Sequence, residues 1–252
     1  MQITQIRNAT LKINYGGLTF LVDPFLAPKG IYPPIPNTAN QEQFNPTVEL
    51  PFPAEQLLPV DAVIVTHLHI DHFDQAAVEL LPKDMLIFAQ NEQDASAIRE
   101  KGFEQVQLFT PSAQLGEVSL SRTYGRHGTG EIGEQMGEVS GIVFQHAQEQ
   151  TLYVAGDTIW CEETQAAIDS YEPTVIVVNG GAARFLQGDP ILMTKEDIYA
   201  THLAAPQAVI ISSHMEAVNH CSLSRPELRK YAAGKGLSSI ILVPEDGETI
   251  IA

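Results

Sequence analysis

The chain has 252 residues, 44% hydrophobic and 18% charged, enough for a large core, and no apolar run approaches the roughly twenty residues a membrane helix needs. Thirty-one acidic against fourteen basic residues give a net charge of −17 with no Lys/Arg cluster, which argues against a nucleic-acid backbone as partner. Two cysteines, Cys161 and Cys221, without C-x-x-C spacing, exclude a disulfide framework and argue against a thiolate metal centre.

The first residues, MQITQIRNATLKINYGG, carry no apolar leader behind a basic segment, so the expected compartment is the cytoplasm. LKINYGGLTFLVDP predicts a hairpin turning at Gly16 and Gly17. Residues 28–59 hold eight of the sixteen prolines, which denies them ladder hydrogen bonds and predicts a long ordered loop or flap. DAVIVT and MLIFA read as strands, and Asn91 caps a helix over QDASAIREK that stops before Gly102. VSLSRTYGR is strand-like, and GTGEIGEQMGEVSG (128–141) reads as a loose, glycine-punctuated stretch. TLYVAGD, PTVIVVNG, AVIISSH and SIILVP complete the strands, while Thr194 with Asp197 and Ser224 with Glu227 resemble capping boxes. The pattern is mixed α/β, and without repeats or linkers it predicts one domain over residues 1–252.

The segment VIVTHLHIDHFD concentrates chemistry directly behind a strand. His67 and His69 lie two apart and project to one side of extended backbone, with Asp71 and His72 in the turn that follows. A chance His-x-His-x-Asp-His in this composition has a probability of roughly 3 in 10,000, so a merely solvated loop is a poor explanation. His127, Asp157 and His214 each follow a further apolar run, so four strands deliver candidate ligands to one edge. Five imidazoles and two carboxylates are too many for one tetrahedral ion and suit two.

With LVDP at residues 21–24 ahead of these groups, the chain resembles the metallo-β-lactamase superfamily over nearly its whole length. The resemblance implies a four-layer αββα sandwich with a dinuclear metal site at the sheet edge. It implies that His67, His69 and His127 hold one ion, that Asp71, His72 and His214 hold the other, and that Asp157 bridges them. Asp23 matches the early family aspartate that orders the site from behind. The hairpin start, LVDP and HMEAVNHCSLSR look most like the branch containing ascorbate-6-phosphate lactonase, whose members form oligomers, so a homo-oligomer is left open. An Asp-His pair at 71 and 72 stands where antibiotic-degrading members carry a thiolate, which argues against β-lactam hydrolysis.

The expected cofactors are two divalent ions, zinc first, manganese second and iron third. The expected activity is hydrolysis of a lactone or phosphate ester of a small, anionic metabolite by a hydroxide shared between the ions, with Asp71 and His220 as proton carriers. Arg126 and Arg184 are the candidate contacts for an anionic substrate. Two other readings stay open: a nuclease or cyclic-nucleotide phosphodiesterase, and an iron-bearing redox domain or non-catalytic metal-binding module.

Overall fold

Short apolar runs build two seven-stranded sheets in the computed structural model, which describes residues 1–252. The first sheet begins with β1 (Gln2–Arg7), β2 (Thr10–Tyr15), β3 (Leu18–Val22), β4 (Ala62–Val65), β5 (Leu86–Ala89) and β6 (Gln105–Leu108). The second contains β7 (Ser112–Leu115), β8 (Val118–Tyr124), β9 (Ser140–Gln145), β10 (Leu152–Val154), β11 (Val175–Asn179), β12 (Val209–Ser213) and β13 (Ile241–Leu242). The last strand, β14 (Thr249–Ile251), returns to the first sheet beside β1. Strands β3 to β6 run parallel, as do β10 to β13, so several carboxyl ends open on one edge. The helices are α1 (Gln75–Leu80), α2 (Glu92–Glu100), α3 (Gly130–Met136), α4 (Glu162–Tyr171), α5 (Lys195–Ala204) and α6 (Arg225–Gly234).

The burial pattern gives the layering. Ile13, Phe20, Ile64 and Phe88 of the first sheet meet Leu120, Phe144, Val154 and Val177 of the second in a shared inner core. Their strand neighbours Val63, Val65 and Ile87 face the other way, onto Ala77 and Val78 of α1 and Ala95 and Ile98 of α2. Tyr153, Ile176 and Ile210 likewise face Ile168 of α4, Ile198 of α5 and Leu228 of α6. Helix, sheet, sheet, helix is the expected αββα sandwich. Strands covered on both faces must be apolar throughout, which is why AVIV and VIVVN show no polar alternation.

The hairpin turns where expected, with Gly16 and Gly17 at φ of 56° and 79°, a left-handed pair that suits a tight two-residue turn. A side chain at Gly16 would also come within 2.6 Å of Val118 on the opposite sheet. Asn91 caps α2 through its side-chain oxygen, and Thr194 with Asp197 forms the full reciprocal box on α5. Ser224 caps α6, but Glu227 does not close the box; its carboxylate takes Lys195 Nζ at 2.6 Å instead.

The stretch 128–141 departs from the sequence reading, because Gly130–Met136 is the helix α3, ended by Gly137 at φ 77°. None of its residues is buried, so no apolar periodicity announced it. The proline-rich segment remains a flap with one short 3₁₀ turn and an isolated bridge between Tyr32 and Asn45. Two buried polar side chains hold it down. The Arg7 guanidinium donates to the Phe25, Ala27 and Val48 carbonyls. Asn219 accepts from Ile35 N at 2.9 Å and Asn45 Nδ2 at 3.0 Å, and donates to Thr38 and Ala39. The flap is thereby fixed beside the segment that follows His214.

Candidate metal centre

Seven predicted side chains converge at the open edge between the sheets. His67 to His72 come from the turn after β4; His127, Asp157 and His214 follow β8, β10 and β12. Donor atoms of His67, His69, His127 and Asp157 form one group and those of Asp71, His72 and His214 a second, each mutually within 4.8 Å. His67 Nε2 and His69 Nδ1 lie 2.9 Å apart. Asp157 Oδ2 sits between the groups, 3.8 Å from His67 Nε2, 3.4 Å from His127 Nε2, 3.1 Å from His72 Nε2 and 3.7 Å from His214 Nε2. Donors sharing an ion at about 2.0–2.1 Å stand about 3.0–3.4 Å apart, a range that the His127 and His72 spacings to Asp157 meet and the other three miss by 0.4 Å or less.

The hydrogen bonds behind the ring nitrogens test the fit. His127 Nδ1 faces the Ile191 carbonyl at 2.8 Å, and a carbonyl only accepts, so Nδ1 carries the proton. Its Nε2 is then a bare lone pair aimed at a carboxylate oxygen, an arrangement that repels unless a cation lies between. His72 Nδ1 faces Asp23 Oδ2 at 2.9 Å, so Nδ1 carries a proton there too and Nε2 is the nitrogen left for an ion. Asp23 is itself anchored by the Thr66 N–H and hydroxyl, both at 2.8 Å. The donor set and its tautomers suit divalent metal.

Charge is balanced on two patterns within the cluster. Burial, helped by the neighbouring imidazoles, pushes His67 well below the usual histidine range; burial also lowers His127. Burial alone would depress His72 and His214 too, but Asp157, with Asp23 beside one and Asp71 beside the other, outweighs it. His72 is raised to about 10 and His214 goes well above its ordinary value. Asp157 and Asp71 are held well below the carboxylate range, burial notwithstanding, chiefly by His72 and His214.

Two residues that the sequence reading passed over complete the support. Asn179, at the end of β11, donates to Asp157 Oδ1 at 2.6 Å. Asn8 donates to Asp71 Oδ2 at 3.1 Å and lies 3.2 Å from His214 Nε2. Asn179 follows the rule that located the ligands, a polar group at the carboxyl end of an apolar run. Asn8 offered only its type, since asparagine tolerates the left-handed backbone it adopts at φ 54°.

A cavity of about 180 Å³ opens onto the cluster, lined by His69, Asp71, His127, Asp157 and His220 and by five apolar side chains. His220 therefore reaches the site; its Nδ1 is buried without a hydrogen-bond partner, and burial pushes it down to about 4. The two arginines do not reach it. Arg126 is half-exposed and engaged with Glu163 at 2.9 Å and Glu162 at 3.5 Å. Arg184 is exposed and donates to the Gly188 carbonyl at 3.1 Å. Neither is among the side chains that line the cavity, where an anion contact was expected.

The family model described as Beta-lactamase superfamily domain matches residues 19–215. UPF0173 protein YddR of Bacillus subtilis is 50% identical over 99% of both chains. A UPF0173 metal-dependent hydrolase of Koribacter versatilis is 24% identical over 83% of this chain and 82% of its own. The crystal structure of an isothiocyanate hydrolase from Delia radicum gut bacteria is 42% identical, with a TM-score of 0.96 over 100% of this chain and 99% of that one. The lactonase-like branch suggested by the sequence gains no support from these relatives. No helix is long and apolar enough to cross a membrane. With its ligand-rich edge and these relatives, the chain belongs to the beta-lactamase superfamily and, within it, to the UPF0173 family of metal-dependent hydrolases.

Proposed function

We propose that the chain hydrolyses a small, uncharged electrophile, an isothiocyanate or a lactone, in the cavity beside the seven-residue cluster. The cavity wall carries this reading: Ile35, Ile70, Met136, Phe185 and Ile191 face the polar cluster, and no Lys or Arg is among them. A phosphate ester would meet no cationic side chain there and would approach a protein of net charge −17, so the anionic substrate expected from the sequence is disfavoured. The isothiocyanate hydrolase at 42% identity supports the neutral alternative. Water added across R–N=C=S yields R–NH2 and carbonyl sulfide, with no charged group on the substrate to be held.

His67, His69, His127 and Asp157 would hold one ion, and Asp71, His72 and His214 the other, with Asp157 shared. Zinc is the first expectation for an all-nitrogen-and-oxygen set, ahead of manganese and iron. Bound there, two divalent ions supply a nucleophilic water at neutral pH and polarise the electrophile. The protein's part is orientation and proton movement. The apolar walls exclude bulk water, and His220, neutral at pH 7, takes up the proton released from the attacking water and hands it on to the leaving nitrogen or oxygen, with Asp71 on the same wall as the second proton carrier.

The test is elemental analysis of protein purified without chelator, followed by turnover assays with isothiocyanates, lactones and phosphodiesters. Metal together with release of amine or opening of a lactone ring is the expected result. Metal-replete protein that turns over phosphodiesters alone would refute the neutral-substrate reading.

A further inference from the structure

A second hollow of about 370 Å³ shares Phe185 with the cavity at the metal cluster and is otherwise walled by Asn37, Ile132, Gln135, Leu186 and Gln187. Helix α3 runs along the pair. Met136 faces the inner cavity and Ile132 the outer one, four residues apart on one face. An otherwise exposed helix with no buried residue thus directs its apolar side chains at this path.

The path is built by close fitting of three segments. Gly188 sits under Ile132 at φ 92°, where a Cβ would come within 2.5 Å of Ile132 Cδ1. A Cβ on Gly128 would likewise come within 2.9 Å of Ile191 Cγ2. Leu186 N donates to the Asn37 carbonyl at 2.8 Å, joining the 185–188 loop to the proline-rich flap. Arg184, donating to Gly188, holds the same loop in shape. Leu186 stays 70% exposed at the rim of the outer hollow.

We infer that this outer hollow is a binding subsite for the apolar tail, alkyl or aryl, of a substrate whose reactive head lies at the metal cluster, with Phe185 and Ile132 setting tail preference. This rests on the proposed hydrolysis of an uncharged electrophile and narrows it to molecules with one compact reactive end and one hydrophobic end. The shared Phe185 wall argues for the occupant: a ligand seated at the metals and longer than the inner cavity has this hollow as its neighbouring apolar surface.

Two readouts separate the subsite from the reaction. The first is kcat/KM for methyl, propyl, butyl and pentyl isothiocyanates; the second is calorimetric binding of the matching inert N-alkyl-N′-methylureas to metal-replete protein. Each added methylene is expected to raise kcat/KM and binding about two- to fourfold, the gain from burying one such group wholly or in part. Leu186→Ser and Ile132→Gln, both at partly exposed positions, should flatten that dependence with metal content unchanged, while Leu203→Gln on α5, outside both hollows, should keep it. Turnover that is independent of tail length, or a length dependence that survives both substitutions, overturns the subsite and leaves the proposed reaction standing. Urea binding that grows with length in protein that turns over no isothiocyanate or lactone supports the subsite and overturns the reaction.

Discussion

Replacing Asp23 with Asn isolates the role of one carboxylate that touches no ion. Asp23 is 2% exposed; one oxygen accepts the Thr66 N–H, and the other accepts the Thr66 hydroxyl and His72 Nδ1–H. An amide keeps one acceptor. If its oxygen stays on the Thr66 N–H, its NH2 group meets His72 Nδ1–H at a spacing of 2.9 Å, donor against donor. The imidazole then shifts its proton to Nε2, the atom 3.1 Å from Asp157 that would bind metal. If the amide flips, the clash moves to the Thr66 N–H at 2.8 Å. Loss of such a supporting partner weakens metal binding about 10- to 100-fold, or about 1.4–2.7 kcal/mol. Titration against a competing chelator should show one ion retained at wild-type affinity and the ion of the Asp71, His72 and His214 group weakened by that factor. Both ions bound at wild-type affinity would refute the tautomer assignment.

Metal loading should release protons unequally at the two groups. In the metal-free protein His72, raised to about 10, and His214, also raised, are protonated at pH 7, so an ion entering their group displaces protons and binds more tightly as pH rises toward that value. His67 and His127, both lowered, are already neutral, so these two rings should contribute no proton release when the other group loads. Calorimetry in buffers of differing ionisation enthalpy reads the difference, and equal release at both steps would contradict it. Phe144, fully buried and edge-on to Phe20 at 5.3 Å between the sheets, should cost about 3–5 kcal/mol when cut to Ala. That corresponds to a fall of roughly 10 °C in melting temperature for a chain of this size, measurable by calorimetry; a shift within two or three degrees would mean the core collapses to fill the space.

The ligands were legible because their position is a local property. Each of His67, His127, Asp157 and His214 follows a run of apolar residues, and parallel strands open their carboxyl ends on one edge. What they touch was not legible, since the partners are remote in sequence. Arg126 looked available for substrate because nothing near it in the chain announced Glu162 and Glu163, more than thirty residues on. Arg184 is consumed by a carbonyl four residues away, which only the loop's curvature reveals. Helix α3 is hard to read because its two apolar residues, Ile132 and Met136, pack only partly buried against the small cluster of Ala183, Ile191 and Leu192, leaving glycine as the visible signal. The apolar wall of the cavity is likewise hidden, contributed one side chain at a time by the flap, the ligand turn, α3 and the 185–191 segment.

Asp23, Ala182 and His214 hold φ of 46°, 44° and 56°, and the last follows a strand whose neighbours are rigidly buried. Side chains in that region give up roughly 1–2 kcal/mol each relative to ordinary backbone. Glycine would relieve the tension at residues 23 and 214 and delete the groups that matter there. Laboratory evolution guided by heat resistance alone should therefore drift toward glycine at these sites and yield robust, inert descendants; selection must score turnover at every round.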